Sequence, residues 1–125
     1  MKASINILHH QTSDWLRELD FYKEELDILR KRLEEVAAKN TSKDVMVQVE
    51  HFQSRFTILR EQYDILHHEN GERYGRIDEL AKVRPEHIEE IFVAANDSMN
   101  GRLSDFFTSF RNTRLEFNNF LSKVM

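Results

Sequence analysis

Cysteine is absent from this chain of 125 residues. That excludes a disulfide scaffold, thiol catalysis and cysteine-ligated zinc or iron–sulfur centres, and it fits a reducing, cytoplasmic setting. Proline occurs once and glycine three times, so the chain carries few breakers. Long apolar runs are missing too. The longest covers residues 91–95, far short of the roughly 20 residues that a bilayer span needs, so no membrane insertion is expected. Residues 1–11 hold one lysine and interrupt their apolar residues with Asn6, His9 and His10, which is not the pattern of a secretory signal. Nor is there an excess of basic charge. Lys and Arg number 18 against 22 Asp and Glu, and the two signs are interspersed, for a net charge of −4. Binding to nucleic acid by counterion release needs a basic face, so no nucleic-acid partner is expected.

What is present is a heptad pattern in three runs. Leu8, Trp15, Leu19, Tyr22, Leu26, Leu29, Leu33 and Val36 form the first, Val49, Phe52, Phe56, Leu59, Tyr63 and Leu66 the second, and Leu103, Phe106, Phe110, Phe117, Phe120 and Val124 the third. Steps of three and four put each run on one face of a helix, and three such stripes are buried only against one another or a partner. The pattern predicts helices over residues 4–39, 42–83 and 85–123. Thr41 and Asp44 have capping-box spacing at the start of the second helix. Pro85, with Glu86, Glu89 and Glu90, suits the first turn of the third, where a missing N–H costs nothing and acidic groups meet the positive end of the helix dipole.

Short connections make consecutive helices antiparallel neighbours, so the expected fold is a single all-α domain: an antiparallel up-down-up three-helix bundle, rod-shaped, with coiled-coil-like heptad packing. Antiparallel counting then sets the register. Partners on helices 1 and 2 should have numbers that sum to about 83, and partners on helices 2 and 3 to about 169. Glu25 and Arg55 are expected to meet as a rim pair.

That ruler gathers polar residues at one height. Thr12, Asn70, Arg73 and Asn96 fall at core positions within about two turns of one another, with His9, Tyr74, Asn100 and all three glycines beside them. An arginine at a core position loses hydration, so Arg73 needs a partner there. The band is either a hydrated bend that fixes register or a pocket between helices for a small ligand or ion.

Enzyme motifs are not found: there is no Gly-rich phosphate loop, no Gly-x-Ser-x-Gly, no Glu-x-x-His and no His-Glu-x-x-His. Asp64, His68 and Glu72, and His10 with Asp14, have a metal-compatible spacing, but the heptad phase turns His10 and His68 to solvent, and His51 and His87 read as lone surface histidines. No metal ligand and no cofactor is assigned.

Apolar residues also lie outside the seam. Phe21 and Ile28 should sit level with Ile65 and Ile58 as one patch on one side of the hairpin, to be covered by helix 3 or by a second chain, and Val93, Phe107 and Leu121 are surplus on helix 3. Such surplus marks association. The expected function is therefore non-enzymatic: an adaptor, scaffold or accessory subunit with a protein partner, or a homodimer. The alternative is a small-ligand- or metal-binding bundle that uses His9, Asn70, Arg73, Tyr74 and Asn96.

Overall fold

A computed structural model describes the backbone of residues 2–83 and 88–124 and the side chains of 5–79, 82 and 95–124. It contains three helices, α1 (Lys2–Lys39), α2 (Lys43–Val83) and α3 (Ile88–Val124). At 1.5 Å per residue they are about 55–62 Å long. Every helix packs against the other two. Pro85, Glu86, His87 and the α2–α3 connection lie outside the described residues, as do the side chains of Glu89, Glu90 and Val93.

The first turn is explained by its side chains. Asn40 closes α1, with both its backbone N–H and its Nδ2 donating to the Val36 carbonyl at 3.1 and 3.0 Å, so orphan carbonyl capacity at the helix end is used. Ser42 caps α2 in place of the expected Thr41: its Oγ accepts from the Val45 N–H at 3.3 Å and its carbonyl from Met46 at 3.0 Å. The expected cap was one residue early because serine and threonine offer the same hydroxyl, and only the backbone path decides which one meets the first free N–H.

The predicted seam is the observed core. Leu19, Leu26, Leu33, Phe56, Leu59, Phe110 and Phe117 are among the residues of one continuous cluster, each almost wholly buried. Its aromatic rings interlock. Phe117 meets Phe52 and Phe56 edge-on at 5.2 Å, and Tyr22 lies against Phe107 at 4.9 Å and Phe110 at 4.8 Å. Large rings fill the gap between helices and favour offset or edge contacts through their quadrupoles.

The register follows antiparallel counting to within one turn. Tyr63 donates to Asp20 at 2.7 Å across α1 and α2, and Arg55 donates to Thr113 at 2.9 Å across α2 and α3. Burial and the Asp20 carboxylate together hold the Tyr63 phenol well above its ordinary range. The expected Glu25–Arg55 pair does not form. Glu25 instead receives Arg114 of α3 at 2.8 and 2.9 Å. The reason is the handedness of the bundle: Glu25 and Arg55 both lie on stripes that face α3, whereas α1 and α2 meet through Asp20, Asp27, Arg60 and His67.

Candidate functional site

The polar layer assembles near the end of the bundle where α1 begins. Thr12 and Asn70 are buried at the seam, and Asn96 and Arg73 are half-buried beside them. Asn70 Nδ2 donates back to the Leu66 carbonyl at 2.7 Å and touches Met99 Sδ at 3.4 Å. Asn96 Nδ2 reaches Gln11 Oε1 of α1 at 2.7 Å. The Arg73 guanidinium donates to the Ala95 carbonyl at 3.3 Å and lies 5.8 Å from the centre of the Trp15 ring. Among the described residues it thus meets a carbonyl and an aromatic face, and burial lowers its pKa from the usual arginine value.

His9 joins this layer through its Nε2, 2.9 Å from Asp78 Oδ1, and its ring stands edge-on to Tyr74 at 4.7 Å. Because the Asp78 carboxylate accepts, Nε2–H is the donor. His9 Nδ1, Asn70 Oδ1 and Asn96 Oδ1 are buried atoms with no hydrogen-bond partner among the described residues. The two amide oxygens are acceptors, so among the described residues the layer leaves both short of a donor. Tyr74 and Asn100, expected in the band, are both exposed; Asn100 lines a shallow groove between α1 and α3 with Trp15, Leu103 and Phe107.

The glycines do not contribute a site. Gly71, Gly75 and Gly101 have ordinary negative φ, helical hydrogen bonding runs through them, and a Cβ at any of them would meet nothing within 4 Å among the described residues. Neither a tight turn nor a close helix approach requires them. The histidines make surface pairs: His68 with Glu72 at 3.2 Å, His67 with Asp20 at 3.2 Å and His51 with Glu116 at 3.8 Å. His51 is therefore not a lone surface residue. Asp64 pairs with Arg60 and not with His68. Among the described residues, no group of three or more His, Asp or Glu could hold a metal ion.

The surplus apolar residues divide differently from the expectation. Phe21, Ile28, Ile58 and Ile65 are 50–58% exposed, but they do not make one patch. Phe21 and Ile28 adjoin the stripe of Glu18 and Glu25, which faces α3 from α1; Ile58 and Ile65 adjoin that of Arg55, Gln62 and Glu69, which faces α3 from α2. Helix 3 lies between the two pairs. Residue heights alone cannot distinguish one side of a helix from the other, hence the error. Phe107 is buried on Tyr22, and Leu121 packs against the core, so neither is surplus.

Two structural partners escaped the sequence reading. Thr113 is fully buried and takes the Arg55 guanidinium, while its neighbour Arg114 reaches the other way to Glu25. The signal was the gap between Phe110 and Phe117, a heptad position without an apolar residue.

No family model, characterised protein or solved structure matches this chain. Among the described residues, no helix is long and apolar enough to cross a membrane.

Proposed function

We propose that this chain is a non-enzymatic helical-bundle protein of the cytoplasm that works by binding other proteins, as an adaptor, scaffold or accessory subunit. The observation that carries the reading is the pair of half-exposed apolar stripes, Phe21 with Ile28 and Ile58 with Ile65, one on each flank of α3. Regularly spaced large apolar side chains beside charged ones are what a partner helix docks on. The lack of cysteine supports the compartment, and the lack of catalytic motifs supports a binding role. The test compares proximity labelling in cells by the natural chain and by Phe21→Lys/Ile28→Lys and Ile58→Glu/Ile65→Glu variants with unchanged helical content. Association predicts that specific proteins are lost from the variant sets. Identical sets for all three chains would count against it.

A second reading has its own observation: the buried carbonyl oxygens of Asn70 and Asn96, without a donor among the described residues and with His9 Nδ1 beside them, suit a donor-bearing small ligand in the polar layer. Native mass spectrometry of the purified chain would detect a retained molecule, and Asn70→Leu should abolish its retention. Bare mass in both would reduce the layer to a device that fixes register.

A further inference from the structure

The outer stripe of α2 reads His51, Ile58, Ile65, Glu72 at intervals of seven residues, and all four side chains are half-exposed. Turned end for end, that order sets Ile58 against Ile65, and it sets His51, 3.8 Å from Glu116 in its own chain, against Glu72, 3.2 Å from His68 in its own chain. The corresponding stripe of α1 reads Asp14, Phe21, Ile28, Glu35. Turned end for end, it sets acid against acid. One stripe is complementary to an antiparallel copy of itself and the other is not.

From this we infer that α2 is the interface of an isologous dimer, in which a second copy of the chain packs its own α2 antiparallel on Ile58 and Ile65. This deepens the association reading by naming one partner, and it rests on that reading. A two-fold axis requires one patch to fit itself, with residue i meeting j and j meeting i. Here the axis passes level with Glu61 and Gln62. Beside the apolar stripe, Ile65, Leu66 and Phe106 form the floor of a 410 Å³ groove between α2 and α3, with Gln62, Arg102 and Asp105 at its edges, so the incoming helix has a recess to enter.

The contact from His51 to Glu72 covers about 32 Å of helix. A single helix pair of that length buries an area at the low end for stable complexes, so the dimer should have a Kd of roughly micromolar order. Asp44 and Glu79, the next residues on the stripe, lie about 26 Å from the axis, where crossing helices have diverged. Glu61 is the one residue that opposes the pairing, because its two copies lie side by side at the axis.

The absence of cysteine makes the test clean. Gln62→Cys places the only thiol of the chain next to its own copy, and mild oxidation should give a disulfide-linked dimer; Glu24→Cys on the far side of α1 should not. Sedimentation velocity on the natural chain from 1 to 200 μM should show a monomer–dimer equilibrium. Ile58→Glu should shift it at least tenfold toward monomer, whereas Phe21→Glu leaves it unchanged. His51→Glu alone should weaken the dimer, His51→Glu with Glu72→Lys should restore it, and Glu61→Gln should tighten it. Circular dichroism melting confirms that each variant is folded. A monomer at 200 μM, or a dimer that ignores Ile58→Glu and fails to cross-link through position 62, overturns the inference. If partners in the labelling experiment still depend on Phe21 and Ile28, the association reading survives that failure.

Discussion

The two ends of this bundle have the same periodicity and different interiors. Around the α1–α2 turn, the seam is filled by Leu33, Val36, Val49, Phe52, Phe117 and Phe120 in one cluster. At the other end Leu8 and Ile77 are buried as well, and among the described residues the polar Thr12 and Asn70 stand between them and that cluster. The heptad therefore specifies that a position faces inward, and the side chain placed there decides whether burial stabilises. Even the buried polar residues differ. Thr113 sits in the aromatic half and accepts from Arg55, while Asn70 at the other end leaves its carbonyl oxygen without a donor among the described residues.

The largest effect should come from removing a ring from the aromatic half. Phe110→Ala is expected to cost about 3–5 kcal/mol, and Leu8→Ala, which removes a smaller and slightly less buried side chain, about 2 kcal/mol, as read from urea unfolding midpoints. Equal losses would mean that the two ends are equally well packed. The polar pair sharpens the contrast by sign. Asn70→Leu removes an acceptor that is buried without a partner and should raise stability by about 1–2 kcal/mol, while Thr113→Val strands Arg55 and should lower it by about 1 kcal/mol. Stabilisation by both changes would erase the distinction.

Smaller gains are expected from the glycines. Gly71→Ala, Gly75→Ala and Gly101→Ala should each add about 0.5–1 kcal/mol, since the new methyl meets nothing and the unfolded chain loses freedom. A loss at any of them in thermal melts would indicate a close approach to another molecule. The smallest effect is electrostatic. Arg102, bound to both oxygens of Glu69, holds that carboxyl below its ordinary value of 4.5. The folded-state pKa is depressed, so the contribution of the pair is fully present above about pH 4.5 and is lost as pH falls through the lowered value. Both side chains are 40–45% exposed, which keeps the effect small. The stability difference between the natural chain and Glu69→Gln should be measurable at pH 7 and shrink as the pH falls below about 4.5.

Legibility followed the physics of each signal. Leu19, Leu26, Leu59 and Phe110 were identified as core because burial repeats with the helix, and a local period is enough to reveal it. The band of Thr12, Asn70, Arg73 and Asn96 came together because antiparallel counting fixes height. What counting could not give was direction around the axis. It placed Ile58 and Ile65 beside Phe21 and Ile28, assigned Glu25 to Arg55, and required a partner for Arg73 without finding the Ala95 carbonyl and the Trp15 ring that are among its contacts.

By itself, then, the sequence determined that there are three long helices, where α1 and α2 turn, which residues face inward, and at what height the polar layer falls. These depend on separations of three, four and seven residues along one chain, and the chain carries that information locally. Only the tertiary structure decided which flank of α1 and of α2 receives α3. The choice sent Glu25 to Arg114 and Arg55 to Thr113, covered Phe107, and left two apolar stripes apart on either side of the third helix. Handedness is a property of three helices packed together, and no spacing within one of them encodes it.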